Sequence, residues 1–198
     1  MSVSRRKTLA LLGGGLIVAA SASAGTFLAT RTPEQALKPW SSAGGYEDTR
    51  LFALSYALLA PNPHNRQPWL IELTDKNAFR LHRDPARDLP HTDPYHRQIF
   101  IGLGCFLEQM AVASSLKGFS AEVSLFPEGV DGPIADVVLV EGADADPLGA
   151  HIMNRRSCKE PFQDTAVPDA MVADLQTYGT VWTDPADVES VKGLTWQA

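Results

Sequence analysis

Apolar residues recur at helical spacing from about Tyr46, where Leu51, Leu54, Leu58 and Leu59 share one face. Pro61 and Pro63 close that segment, because a proline ring removes an N–H and pushes the preceding residue out of the helical region. Two runs with strand patterning follow, residues 69–73 and 79–82, joined by the polar turn Thr74-Asp75-Lys76-Asn77. Residues 84–94 hold three prolines and read as a loop. The longest apolar phase covers about 95–117, with Ile99, Leu103, Phe106, Leu107 and Met110 in register and Gly118 as its stop. Residues 122–126 and 136–140 are further strands, bounded by the turns Pro127-Glu128-Gly129 and Asp131-Gly132-Pro133. A short helix from about Pro147 and one more over 169–178 complete the series. Helix, hairpin, long helix, strands and helix predict an α+β layered sandwich, an antiparallel-rich sheet flanked by helices, rather than alternating βαβ units.

The pattern breaks at the N-terminus. Residues 1–24 run from the paired arginines Arg5 and Arg6, preceded by Ser4, through a Gly/Ala-rich apolar stretch to Ala22-Ser23-Ala24. A basic start, an apolar middle and a small-residue exit are a signal peptide, and the arginine pair points to the bacterial twin-arginine route. Left uncut, residues 9–29 are about long enough to anchor in a bilayer; their glycines and serines favour cleavage. Either way the mature chain is expected outside the cytoplasm, in the periplasm or an equivalent compartment. Export in a folded state also fits a cofactor inserted beforehand. Residues 25–45 lack a steady apolar period and read as a linker.

Composition narrows the partners. The 198 residues carry a formal net charge of −6, and removing Arg5, Arg6 and Lys7 with the leader takes this to −9. So acidic a body excludes a nucleic-acid backbone as partner. Cys105 and Cys158 are too few for a disulfide framework and lack zinc spacing; Cys105 falls in the apolar helix as a small hydrophobe, and a single bridge between the two is the less favoured alternative. His82, His91 and His96 match no metal pattern and read as ordinary loop histidines. No GxSxG occurs, and Gly102-Leu103-Gly104 lies inside a helix rather than between a strand and a helix, so it is no dinucleotide loop.

Two polar clusters remain. In PNPHNRQPW, residues 61–69, prolines fix the backbone, and Asn and Gln side chains offer donors and acceptors suited to the edge of a heterocycle. In RRSCKEPF, residues 155–162, Arg155, Arg156, Ser157 and Lys159 concentrate cations and a hydroxyl in an otherwise acidic chain, a set suited to phosphate. The plain alternatives are a proline-stopped helix end and a charged helix terminus.

These residues resemble a known family. LLAPNPHNRQPW resembles the Pro-Ser-x-x-Asn-x-Gln-Pro-Trp segment of FMN-dependent nitroreductases, and RRSCKEPF resembles their Arg-x-Ser-x-Lys/Arg-x-Phe segment. HRQIFIGLGCFLEQMAVASSLKG is similar to the central helix of the family's Acg-type subgroup, and the likeness covers about 46–162. In ordinary members the Arg-Ser segment comes first; here it follows PNPHNRQPW by about ninety residues, an order that resembles the Acg type, in which two nitroreductase-like halves are fused. The resemblance implies a first half over 46–150 and the start of a second, incomplete half over 151–198. It further implies one FMN site built from Pro61, Asn62, Pro63, Asn65 and Gln67 with Arg155, Arg156, Ser157 and Lys159. Asn62 and Pro63 stand where ordinary members carry serines, so hydroxyl contacts are absent there, and Gln67 has the alternative role of bracing the loop. A fused second half needs more chain than follows Arg155, so a truncated chain, or completion by another polypeptide such as a homodimer partner, is expected.

The activity implied is hydride transfer from NAD(P)H through FMN to a small nitro or quinone acceptor, with no catalytic side chain required because the cofactor supplies the chemistry. The alternative is a flavin-binding or sequestering protein with little turnover, which the scarcity of NAD(P)H outside the cytoplasm favours; a domain without flavin is the third reading.

Overall fold

A computed structural model of the chain describes residues 23–28, 30–161, 163 and 165–197; most of the leader, residues 1–22, and Phe162 lie outside them. The described chain divides into two units, residues 1–157 and 158–198.

In the first unit, α1 (Glu34–Ser42) lies within the segment the sequence read as a linker, with Pro39 inside it. Next comes α2 (Thr49–Ala57), which starts where Asp48 can cap it: the carboxylate accepts from the backbone N–H groups of Arg50 and Leu51. The Arg50 guanidinium closes on the same carboxylate at 2.6 Å and holds its pKa well down, at about 2. After a loop the chain forms the hairpin β1 (Trp69–Asp75) and β2 (Ala78–Arg83), then α3 (Arg97–Ser115), β3 (Phe119–Leu125) and β4 (Ala135–Glu141). Strand β3 starts three residues earlier than the sequence indicated, because Gly118 adopts φ 78° and turns the chain straight from α3 into it.

The four strands form one sheet in the order β1-β2-β4-β3, with every neighbouring pair antiparallel. The fold class is α+β, as the apolar pattern predicts. Alternation along the strands puts Trp69, Phe79, Leu81, Ala135, Val137 and Leu139 on one face, where they meet Ala53, Leu54 and Ala57 of α2 and Ile99, Leu103, Phe106 and Met110 of α3 in a single core. The other face carries an ionic row: Arg80 pairs with Asp136 and Glu128, and His82 with Glu72.

Beyond β4 a short 3-10 turn, Pro147–His151, is fastened to the end of α3. The Asp146 N–H donates to Ser115 Oγ at 2.9 Å, and Gly149 sits so close to Leu116 that a Cβ there would lie 2.5 Å from its Cδ2. Ile152, buried, anchors the chain as it leaves this turn.

The second unit contains α4 (Asp169–Gln176) and α5 (Pro185–Gln197), with no buried side chain in α4. Both cysteines are free thiols, Cys105 half-buried on α3 and Cys158 exposed. No helix among the described residues is long and apolar enough to cross a membrane.

Candidate functional site

The PNPHNRQPW loop is built from its own side chains. The Asn62 side-chain amide donates to Ala60 O at 3.1 Å, and its oxygen accepts the Gln67 N–H at 2.7 Å, closing the segment on itself. Arg66 Nε and Nη2 donate to Arg87 O and Ala86 O, while Arg87 Nη1 donates back to Arg66 O, stapling the loop to the 3-10 turn Pro85–Arg87. Within this frame His64, Asn65 and Gln67 are held at φ 48°, 52° and 51°. Left-handed backbone costs a non-glycine residue about 1–2 kcal/mol, less for Asn. Gln67 is the most strained, because it also precedes Pro68, which favours extended backbone. Such strain persists where surrounding bonds over-determine it, and it concentrates at functional loops.

This loop lies directly on α3. A Cβ at Gly102 would sit 3.0 Å from Pro63 Cδ and 3.2 Å from Asn62 Cβ, so glycine is what permits the approach. Gly102 is thus a packing device for the loop, a role the sequence left unassigned. Asn65, exposed, and Gln67, half-buried, make no side-chain hydrogen bond to any described residue, so their amides are open to a ligand.

Arg155 reaches the same place from the far end of the unit. Its Nη2 donates to Leu59 O at 2.7 Å, two residues before Pro61, and its Nε is buried without a partner among the described residues. A buried, charged N–H left unpaired is costly and therefore points to an acceptor that belongs there. Pro61 and Arg155 both line a pocket of about 580 Å³ whose floor is one stripe of α3, Ile101, Gly104, Cys105 and Val112. Glu108, Gln109 and His151 supply its other polar groups. A neighbouring pocket of about 380 Å³ runs on under Asn62 and Pro63 and shares Pro61, Ile101 and Cys105 with the first.

The structure thus brings Pro61, Asn62, Pro63 and Arg155 to adjoining pockets. Arg156 is occupied elsewhere: it stacks on Trp40 at 4.0 Å and donates to Met153 O and Arg155 O. Ser157 is exposed, and Lys159, also exposed, belongs to the second unit. Sequence reasoning missed the α3 stripe, although the apolar and small residues Ile101, Gly104, Cys105 and Val112, with Glu108 among them, repeat at helical spacing beside the core face. No group of His, Cys, Asp or Glu among the described residues is placed to hold a metal.

No family model matches the sequence. Over 148 residues the chain is 32% identical to "Putative NAD(P)H nitroreductase acg" of Mycobacterium tuberculosis, a match covering 69% of this chain and 42% of that protein. The chain is nitroreductase-like in sequence. A second relative, "Putative NAD(P)H nitroreductase Rv3131" of the same organism, is 30% identical over 153 residues, covering 73% of this chain and 44% of its own length. The nitroreductase-like chain therefore spans less than half the length of each of these relatives. Both names support kinship with the nitroreductase family.

Proposed function

We propose that the chain forms part of an FMN-binding, nitroreductase-like oxidoreductase that passes hydride from NAD(P)H to a small nitro or quinone acceptor. The observation that carries this reading is the convergence of Pro61 and Arg155 on one pocket, with the Arg155 Nε buried and unpaired. That N–H fits an anionic oxygen such as a flavin phosphate. Pro61 and Pro63 give the loop a fixed shape, and the free amides of Asn65 and Gln67 offer donors and acceptors to a heterocycle edge. Asn62 fits a bracing role, since its amide already holds the loop. Ser157 and Lys159 are exposed and remain candidates for further phosphate contacts.

FMN, when bound, supplies the hydride chemistry, and the side chains bind and orient it without donating a catalytic proton. Residues 1–24 are proposed to direct export through the twin-arginine machinery. A second nitroreductase-like half, or a second copy of the chain, is proposed to complete the site.

Titration with FMN, followed by flavin fluorescence, tests the site. Arg155→Ala is expected to weaken binding by about tenfold or more, the worth of a charged hydrogen bond. NADH and a nitroaromatic then test turnover: bleaching of the flavin followed by reoxidation supports the oxidoreductase. A yellow protein that NADH cannot bleach supports flavin holding instead, and a colourless one overturns both.

A further inference from the structure

The linker segment contributes an aromatic ring to the cationic motif. Trp40, on α1, is half-buried, and the Arg156 guanidinium lies over its ring with Cζ 4.0 Å from the centroid. Arg156 Nη1 also donates to Met153 O at 2.8 Å and to Arg155 O at 2.7 Å. One cation therefore grips the backbone on both sides of residue 154 and is itself held by the ring. Arg155, next in the chain, directs its guanidinium to Leu59 O and leaves Nε buried and unpaired.

The segment just after Trp40 is tied to α2. Just past the end of α1, the Gly44 N–H donates to Ser55 Oγ at 2.8 Å, and Ser55 Oγ donates to Phe52 O at 2.7 Å within α2. Gly44 has φ 76°, and a Cβ there would lie 2.5 Å from Tyr56 Oη, so this return toward α2 requires glycine. The turn that follows α1 is thus tied to α2, while Trp40, within α1, meets Arg156, which bonds the backbone of Met153 and Arg155.

We propose that Trp40 is a positioning residue: its ring face holds Arg156, which sets the 153–156 turn so that Arg155 presents its unpaired N–H to an anionic group. The identity of that anion as the FMN phosphate rests on the flavin reading above; the positioning is a property of the chain alone. An aromatic face attracts a guanidinium where an aliphatic side chain of similar bulk does not. Trp40→Phe therefore keeps the device, and Trp40→Leu removes it while retaining apolar volume.

The test uses the 198-residue chain and two readouts. In FMN titrations, Trp40→Leu and Arg156→Met each weaken binding by about tenfold, Trp40→Phe stays within about twofold of wild type, and the Leu/Met double variant is no weaker than either single one. Without flavin, the 1H–15N resonance of Arg155 Nε, identified by its loss in Arg155→Lys, shifts and exchanges faster in Trp40→Leu but not in Trp40→Phe. Failure of the wild type to bind FMN removes the flavin reading and leaves the resonance to decide the positioning. An Arg155 Nε signal unchanged in Trp40→Leu overturns the proposal, as does an equal change in the Leu and Phe variants, which would reduce the contact to packing.

Discussion

At the scale of a residue, the absence of one methyl at position 102 decides how closely the polar loop lies on α3. Ala at 102 would meet Pro63 and Asn62 at 3.0–3.3 Å, against a proline ring and backbone that have little freedom to yield. Helix propensity favours the same substitution by about 1 kcal/mol, so the two effects nearly offset in global stability. Gly102→Ala is therefore expected to leave the denaturation midpoint nearly unchanged while displacing the loop and, on the proposed function, weakening FMN binding. Gly104→Ala is the control: nothing lies within 4 Å of its Cβ, and it should stabilise the chain by about 1 kcal/mol in a urea titration. The sequence singled out this Gly-x-Gly but not its purpose, because a close approach involves residues forty positions away. Asn62 shows the same limit. Its residue type suits a ligand, and only the fold reveals that its amide faces Ala60 and Gln67.

At the scale of an element, local chemistry was most legible where periodicity and stop signals agree. The long helix was expected at about 95–117 and is found at Arg97–Ser115, because its apolar phase is sustained and Gly118 ends it. Helix α1 was not foreseen, since Pro33 and Pro39 read as breakers; nor was α5, although Asp184 before Pro185 is a legible start, with the Asp184 carboxylate accepting the Ala186 N–H. The cap of α2 carries a pH prediction. Asp48 has its pKa lowered from 3.8 to about 2, chiefly by the Arg50 hydrogen bonds, with burial opposing and the backbone N–H bonds adding. A depressed carboxylate stabilises the fold above its unfolded pKa, and that contribution is lost as pH falls from about 4 toward 2. Asp48→Ala should therefore cost about 1 kcal/mol near neutral pH, the usual worth of an N-cap. The gap between wild type and variant, read from denaturation midpoints, should narrow steadily below pH 4; a constant gap would assign the loss to something other than the charge.

At the scale of the whole molecule, the meeting of two motifs about ninety residues apart was legible only through family resemblance; no local pattern joins Arg155 to Leu59 O. The division of the chain is legible from burial. Every core side chain among the described residues lies between Ala53 and Ile152, so the first unit contains its own core. The second unit presents Met171, Leu175, Tyr178, Trp182 and Leu194 as exposed side chains, and its helices are 8 and 13 residues long. Isolated helices below about 12–15 residues are marginal in water, because nucleation is unfavourable and tertiary packing supplies most helix stability. A chain ending after Ser157 should therefore keep a cooperative thermal transition, whereas a peptide of residues 158–198 should show little helical circular dichroism by itself. Mixing a nitroreductase-like second half with the full chain then tests whether these exposed side chains form a docking surface. If they form a docking surface, helical signal and FMN affinity rise together on mixing. A folded, strongly helical 158–198 peptide in isolation would contradict this, since it would need a core that burial does not show.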